Sequence, residues 1–456
     1  MKKIVFLVSL CAVTAALALA EITVGGRVKA AVGIQHIEYA PRPENPTWIP
    51  DEETVWVGGF GRDDSGKIEL KLTFTAEKEG KFGKAGIYSD LFFYPAWIDH
   101  KENDVLLNID SIALGDLYGW YLPFDFFRVA LGKYSVETFR GRIGGYNWGS
   151  HLGAAAGGED SFLNKFDMQD GISFEFIDPL KYFSIPGLDL AFGFNRLSNL
   201  FSANNQGIDG GYVHAKYMLE NFQIALGYKI KIGELDIGFA RAQYISVHQT
   251  PSAGPVVQGA FAFTMVPGLV VDIGGTWSFP VTDPTTWLPG INSDGNQNLP
   301  IPIAALGEYR QPHRAAFGAI YDFSGLGLSF IKGLSVKAGM EYSWGGYSEP
   351  KESFTTNTGA VTKIWFSPLY KITEILSAGA DLGINIIGSE EISGRIAKLG
   401  GTRYGAGAYV QIDMAESCNI KAGVAYSGGM DQGSTRMSAK ALDEVFTVPV
   451  AFTWEF

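Results

Sequence analysis

The chain has little cysteine and, after its first 20 residues, no long apolar run. Two of its 456 residues are cysteine, and of these only Cys418 lies beyond the N-terminal segment. A single cysteine excludes an intramolecular disulfide framework. No stretch after residue 20 approaches the roughly 20 apolar residues that a membrane-spanning helix needs. Such a chain can cross a bilayer only as a closed barrel, because open sheet edges cannot be hydrogen-bonded in lipid.

Basic residues are also scarce. Residues 1–20 contain two lysines and no acidic residue, so residues 21–456 carry 34 Lys+Arg against 48 Asp+Glu, a formal net charge of −14. The sequence contains no basic run that would bind phosphates. This balance excludes a nucleic-acid partner, since such binding depends on cationic contacts with the phosphate backbone.

Motifs for catalysis and metal binding are missing as well. No HExxH or GxSxG pattern occurs, and the six histidines (positions 36, 100, 151, 214, 248 and 313) lack metal-ligand spacing. Segment 292–296 contains the Asn, Asp and Gly of a calcium loop without its full set of acids, so a flexible turn is preferred. The sequence predicts no catalytic residue, no metal, no cofactor and no enzyme activity. A His/Ser/acid site assembled in space stays open as an alternative.

The N-terminal segment has the layout of a secretory signal peptide. A short positive region, Met1–Lys3, precedes an apolar run from Ile4 to Leu19 that ends in small residues. An N-terminal membrane anchor is the alternative, but no stop-transfer charge cluster follows the run. Lipid attachment at Cys11 is not expected, because the preceding Leu10 is too large for the usual motif. We therefore expect cleavage after Ala20, export, and a single mature domain over residues 21–456.

From residue 22 onward the sequence alternates with a period of two, which is typical of strands with two different faces. Ile68, Leu70, Leu72 and Phe74 alternate with Lys67, Glu69, Lys71 and Thr73, and similar segments of about ten residues follow to the end. Glycine, at 57 residues, is nearly twice its average share, which suits turns and strand bends better than helices. The pattern predicts an all-β fold, a transmembrane antiparallel up-and-down β-barrel.

Nineteen candidate strands can be counted, whereas bacterial single-chain barrels have even numbers. The weakest candidates lie between residues 83 and 219, so we predict 18 strands, with 16 as the next choice. Long polar segments (280–312, 345–358, 389–402 and 428–443) alternate with tight turns near residues 267–268, 371–374 and 414–417. We expect the tight turns at the periplasmic end and the long loops, with 40–66 and 138–170, at the outer end.

The last strand is the most distinctive. Phe446, Val448, Val450, Phe452, Trp454 and Phe456 share one parity, so large apolar side chains continue to the final residue. With the signal peptide, the opening strand Glu21–Val28 and the repeated strands, this pattern resembles bacterial outer-membrane β-barrel proteins of the porin type. The resemblance implies an outer-membrane location among lipid, and passive diffusion of small hydrophilic solutes or ions. It further implies that Trp454 and Phe456 form a signal read by the barrel-assembly machinery, and it permits a homotrimer.

Charged residues on the polar parity are the pore-lining candidates. These candidates are Arg27, Lys29, Lys67, Glu69, Lys71, Arg128, Lys229, Lys231, Lys337, Glu341, Arg403, Asp413 and Lys421. With Glu77, Asp236, Asp272 and Glu455 added, the readable wall holds ten positive and seven negative residues. Charge in a water-filled pore selects ions by sign. We therefore expect a weak anion preference at the wall, offset by acidic loops.

Two loops are candidates for narrowing the lumen. General porins fold the long loop after their fifth strand inward, and segment 138–170 follows the fifth predicted strand here. Its charged residues, the possible constriction set, are Arg140, Arg142, Glu159, Asp160, Asp167 and Asp170. An ordinary external loop, or two unrecognised strands, is the alternative. Segment 280–312 is a second candidate lid. For the whole chain, the alternative functions are a plugged-barrel transporter of hydrophobic compounds, of the fatty-acid type, and a surface adhesin or structural barrel.

Overall fold

The fold was determined as a computed structural model. It describes residues 21–39, 52–57, 69–96, 108–135, 167–183, 186–195, 222–246, 255–280, 287–290, 299–302, 308–310, 312–323, 333–349, 356–357, 359–392, 395–398, 400–429 and 442–456. The predicted signal peptide lies outside these ranges, so cleavage after Ala20 stays a prediction.

Nearly all of the described chain is β-strand. The strands are β1 Glu21–Tyr39, β2 Glu52–Val57, β3 Glu69–Gly80, β4 Gly83–Ala96, β5 Asn108–Phe124, β6 Phe127–Ser135, β7 Asp167–Ile177, β8 Leu188–Phe194, β9 Phe222–Ile232, β10 Leu235–Ile245, β11 Val256–Phe263, β12 Leu269–Ser278, β13 Trp287–Gly290, β14 Leu299–Pro302, β15 Glu308–Arg310, β16 His313–Asp322, β17 Leu334–Trp344, β18 Tyr347–Glu349, β19 Thr356–Asn357, β20 Val361–Lys371, β21 Leu376–Ile387, β22 Glu390–Ile392, β23 Arg395–Lys398, β24 Gly401–Ala415, β25 Cys418–Gly428 and β26 Leu442–Glu455. A 3₁₀ helix at Pro179–Phe183 lies between β7 and β8. Among the described residues, no helix has the length and apolar character needed to cross a membrane.

Eighteen of these strands form one closed wall. Each wall strand pairs antiparallel with the next one along the chain, and β26 pairs back with β1. The other eight strands (β2, β13, β14, β15, β18, β19, β22 and β23) lie in the connections at one end. The prediction of an antiparallel up-and-down barrel of 18 strands is confirmed. The surplus candidate strand, 210–219, lies outside the described residues, and the wall closes without it because β8 pairs directly with β9.

The two ends of the barrel differ in their connections. Two-residue turns at 81–82, 125–126, 233–234 and 416–417 join neighbouring strands at the end where β1 begins. Gly233 has φ +63° in the third of these turns, a left-handed conformation that glycine adopts at no steric cost. The long connections lie at the opposite end, as predicted. The segments read as loops nevertheless contain short strands: β2 within 40–66, and the β13–β14 hairpin within 280–312.

The connections at the loop end extend the wall. Strands β15, β18, β19, β22 and β23 form a small antiparallel sheet that joins the connections after β12, β17 and β21. Strand β2 pairs with the upper half of β1, beyond the part of β1 that pairs with β3. Among these short strands, β2 is paired with the wall, and the other five link neighbouring connections to one another.

The wall has one apolar and one polar face, and the apolar face points outward. In β11 the exposed fraction alternates, from 42% at Val257 to 2% at its neighbour Gln258. The exposed parity carries Val24, Leu131 and Ile273 on other strands, each more than half exposed. Large apolar side chains that face outward all round a closed barrel form the surface that lipid covers. The other parity faces the lumen.

The seam between β1 and β26 closes the barrel. Their register pairs Val28 with Trp454 and Arg27 with Glu455. Gly26 and Phe456 exchange two backbone hydrogen bonds of 2.8 and 2.9 Å. A Cβ at Gly26 would lie 2.7 Å from the Phe456 ring, so this glycine makes room for the aromatic side chain. Trp454 and Phe456 are about half exposed, with ring centroids 5.1 Å apart.

Candidate functional site: the charged face of the lumen

The lumen face carries the charged residues that the sequence assigned to the pore. Strand register places ten of the 13 pore-lining candidates there: Arg27, Lys29, Lys71, Arg128, Lys229, Lys231, Lys337, Glu341, Asp413 and Lys421. Glu69 and Arg403 occupy strand positions of the same parity, and Lys67 lies outside the described residues. Eighteen strands about 4.8 Å apart and tilted by about 40° form a cylinder roughly 35 Å across. A wall of that size leaves an aqueous channel unless loops fill it.

Arg128 on β6 and Glu175 on β7 form a buried bidentate ion pair. The two residues are directly opposite in the strand register. Arg128 Nη2 and Nε donate to Glu175 Oε2 over 2.8 and 3.1 Å, and Arg128 Nη2 also donates to Oε1 over 3.0 Å. The exposed fraction is 6% for Arg128 and 0% for Glu175. Since both charges are desolvated, each depends on the other for compensation.

Neutral groups complete this site. Ser173 Oγ donates to Glu175 Oε1 over 3.1 Å, and the Tyr134 hydroxyl is hydrogen-bonded to Ser173. Tyr134 stacks on Tyr118 with ring centroids 4.5 Å apart, and Tyr118 stacks on Tyr88 at 5.3 Å. We call Arg128, Glu175, Ser173, Tyr134 and Tyr118 the Arg128–Glu175 cluster. Its charges are matched, and its aromatic rings pack against the lumen side of the wall.

Other lumen charges pair with less burial. Lys71 Nζ lies 2.8 Å from Asp90 Oδ2, and Thr73 donates to Asp90 Oδ1 over 2.8 Å. Close to the tight-turn end, Lys84 forms an ion pair with Glu77. On β9 and β10, Lys229 Nζ lies 3.0 Å from Asp236 Oδ2, with both side chains nearly half exposed. Exposed pairs of this kind contribute little to stability.

Lysines from three separate strands meet near Lys421 on β25. The Lys421 ammonium lies 4.6 Å from the centre of the Tyr409 ring, a cation–π contact. It interacts electrostatically with two further lysines and with two aspartates. We call this set the Lys421 cluster: Lys29, Lys337, Lys421, Asp381 and Asp413, with Tyr409. Gln411 donates to Asp413 Oδ1 over 2.7 Å. Within this set, three lysines stand against two aspartates.

A third part of the lumen face is buried and poorly compensated. Asp272 on β12 is 3% exposed, and its Oδ1 has no hydrogen-bond partner among the described residues. Its surroundings are small and apolar, with Ala262 opposite on β11 and Gly318 opposite on β16. The Gln258 amide donates to Thr276 Oγ over 3.1 Å, while its Oε1 also lacks a partner within the described chain.

Several lumen charges escaped the sequence reasoning. These are Asp90, Glu175, Asp189, Arg241, Arg314, Lys363 and Asp381. The signal that could have found them is the alternation of side chains along each strand. Glu175 stands between Phe174 and Phe176, and because those aromatic side chains face lipid, the acid must face the lumen. Asp381 stands between Ala380 and Leu382 in the same way.

The candidate constriction loop cannot be assembled from the described residues. Arg140, Arg142, Glu159 and Asp160 lie outside them. Asp167 and Asp170 belong to wall strand β7, which begins at Asp167 and not after residue 170 as predicted. The constriction therefore stays a prediction, and two of its six residues are part of the wall.

The fold and its two faces define the class of protein: a porin-like β-barrel of the bacterial outer-membrane type. The closed wall of 18 strands satisfies every strand edge, the outer face is apolar, and the inner face holds the charges. Exposed aromatic side chains stand at both ends of the outer face, as in membrane barrels: Phe124 and Trp454 near the tight turns, Trp277 and Tyr342 near the loops.

Comparisons with known proteins give matches of low similarity. No protein-family model matches the sequence, and no curated protein is significantly similar to it. Among the solved structures that match is an anion-selective porin from Comamonas acidovorans, at 12% identity over 96% of this chain and 100% of that one, with TM-score 0.46. OmpT, an outer membrane protein of Vibrio cholerae, matches at 10% identity over 95% and 98% of the two chains, with TM-score 0.44. A mutant porin from Rh. blastica matches at 12% over 96% and 100%, with TM-score 0.40. At these values, the barrel assignment rests on the chain's own strand pairing.

Proposed function

We propose that this protein is an outer-membrane channel for passive diffusion of small hydrophilic solutes or ions, without covalent chemistry. The observation that supports the proposal is the charged inner face of a closed 18-strand wall. Lysine, arginine, aspartate and glutamate are costly to place in a barrel unless water or partners reach them. A water-filled lumen lets the exposed ones, such as Lys229 and Lys231, stay charged.

Ion preference follows from how these charges are compensated. The Arg128–Glu175 cluster is electrically neutral, whereas the Lys421 cluster has one more lysine than aspartate. Anions that pass the Lys421 cluster would meet a favourable potential, and cations an unfavourable one. We therefore propose a weak anion preference. Export through the signal peptide of residues 1–20, insertion by the barrel-assembly machinery through Trp454 and Phe456, and a homotrimeric state belong to the same proposal.

The test is single-channel recording in a planar lipid bilayer. We expect an open pore of nanosiemens conductance in molar KCl, and in a tenfold KCl gradient a reversal potential of the sign that anion permeation gives. Absence of conductance from folded, inserted protein would exclude the channel and favour the transporter or the adhesin. Clear cation selectivity would leave the channel but exclude the anion preference.

A further inference from the structure

A histidine and two glutamates converge at the loop end of the barrel, outside the lumen. His36 and Glu38 are two residues apart on β1, so they share a face, and Glu52 on β2 lies directly opposite Glu38. Ile34 and Val32 precede them on the same outward parity and are exposed. The three side chains therefore lie on the outer surface, just beyond the apolar band.

Their ligand atoms are already close together. His36 Nε2 lies 3.7 Å from Glu38 Oε1 and 3.9 Å from Glu52 Oε2. The three atoms all lie within 4.8 Å of one another. Two ligands bound tetrahedrally to zinc at about 2.0–2.1 Å are about 3.3 Å apart. Side-chain movements of a few tenths of an ångström up to about 1.5 Å would bring the three atoms onto one metal ion.

The imidazole is held in an orientation that suits coordination. His36 Nδ1 lies 3.0 Å from Oγ1 of Thr54, which is the residue directly opposite His36 on β2. When Nδ1–H donates to that hydroxyl, Nε2 keeps its lone pair, and Nε2 is the atom that faces the two carboxylates. A hydrogen bond to the second ring nitrogen is the usual way in which proteins fix a metal-ligating histidine.

The charge distribution also calls for a cation. Glu38 lies opposite Glu52 on one side and opposite Glu444 of β26 on the other, which places three glutamates side by side across three strands. Like charges directly opposite in a sheet are destabilising. Glu444 accepts a hydrogen bond from the Tyr426 hydroxyl, so it already has a polar partner. Glu38 and Glu52 remain as the pair that a cation would relieve.

We propose that His36, Glu38 and Glu52 form a binding site for a divalent transition-metal ion, of which Zn²⁺ is the expected example. One imidazole nitrogen with two carboxylates favours zinc over calcium or magnesium, which prefer oxygen ligands alone. Three protein ligands leave a fourth position for water or for an outside ligand. Because Glu52 lies on β2, the ion would tie this short strand to β1. The site does not depend on whether the lumen conducts.

The test is isothermal titration calorimetry of Zn²⁺ into the full, refolded barrel without a histidine tag. We expect one zinc ion per chain, and at least tenfold weaker binding of Ca²⁺ and Mg²⁺. Glu52→Gln keeps the size of an exposed side chain, and His36→Ala removes the nitrogen; each should weaken Zn²⁺ binding at least tenfold. Glu444→Gln is the matched control, since it removes the third glutamate that lies beside Glu38 and Glu52. The Zn²⁺ affinity of this variant should stay within about twofold of the wild type.

Zinc-edge X-ray absorption of the loaded protein gives a readout independent of affinity. One nitrogen and two carboxylate ligands are expected, with the nitrogen lost in His36→Ala; retention of the folded barrel is checked by heat-modifiable mobility in gels. Equal Zn²⁺ affinity in the wild type, Glu52→Gln and His36→Ala, or a spectrum without a histidine ligand, would overturn the proposal. Equal loss of affinity in Glu444→Gln would also overturn it, because a general surface charge would then explain the binding.

Discussion

The lumen wall contains two charged sites that are built in opposite ways. In the Arg128–Glu175 cluster, two charges meet in a bidentate pair, excluded from water and surrounded by Ser173 and the stacked tyrosines. In the Lys421 cluster, lysines from three strands interact electrostatically with two aspartates, and Lys421 lies over a tyrosine ring. One polar face of the barrel can therefore hold charged residues in two kinds of site. The matched, buried pair is part of the structure, whereas a group in which lysines outnumber aspartates could act on passing ions.

Removal of one charge from the matched pair should have the greatest effect on stability. We expect Glu175→Gln to lower the free energy of unfolding by about 3–5 kcal/mol, because it leaves the buried Arg128 guanidinium uncompensated. Urea unfolding in detergent, followed by tryptophan fluorescence, measures the change. The matched control is Lys84→Gln in the exposed Lys84–Glu77 pair, where we expect little or no loss of stability, because solvent screens an exposed ion pair.

The double variant Arg128→Met/Glu175→Met identifies the cause of the stability loss in Glu175→Gln. Replacing both partners of a buried pair by apolar residues is often nearly neutral. The double variant should therefore be more stable than Glu175→Gln. If it is equally unstable, the cost lies in the surrounding packing and not in the unpaired charge.

A smaller effect is expected when the Lys421 cluster loses a charge. At a distance of several ångströms in water, one charge changes the energy of a passing ion by about 0.5–1 kcal/mol. Lys421→Gln and Lys337→Gln should each lower the anion-to-cation permeability ratio roughly two- to fivefold. Reversal potentials in a KCl gradient measure this ratio. Lys78→Gln, the same change on the outer face of β3, should leave the ratio unaltered. An equal shift in Lys78→Gln would show that the Lys421 cluster has no special role.

A still smaller effect should follow from raising the salt concentration, which would act on the Lys421 cluster but not on the Arg128–Glu175 cluster. The Debye length falls from about 10 Å at 0.1 M salt to about 3 Å at 1 M. The anion preference of the wild type should therefore decline towards unity over that range. The stability difference between wild type and Glu175→Gln should stay almost constant, because the buried pair is little screened. A salt-independent permeability ratio would argue against surface-accessible charges as its source.

Much of the fold was readable from the period of two. The alternation predicts the strands, and their even number selects 18; the pairing of β26 with β1 follows from closure. The boundaries of the weaker strands could not be predicted as well from the sequence. Strand β7 begins at Asp167, inside a segment assigned to a loop, and β2 lies inside the predicted loop 40–66. Both are short or irregular stretches where the alternation is faint.

The partners within the site could not be read from the sequence. Parity assigns Arg128 to the lumen, but its partner Glu175 is 47 residues away, and only the register of β6 against β7 brings them together. His36 appeared isolated among scattered histidines. The spacing His36-x-Glu38 on one strand face was a usable hint, while Glu52 required the pairing of β2 with β1. Sequence period gives the face of each residue, and register decides the neighbours.

The β1–β26 seam has a consequence for how the barrel forms. Every other wall contact joins strands that follow one another along the chain, so each can form as a hairpin or from a nearby segment. The seam joins residues more than 400 positions apart, and closing a loop of that length costs about 5 kcal/mol of chain entropy. Until β26 arrives, β1 keeps an open, apolar edge that could pair with another chain. Formation of the seam is therefore expected to be the slow step of folding, and the stage at which aggregation competes most strongly with closure.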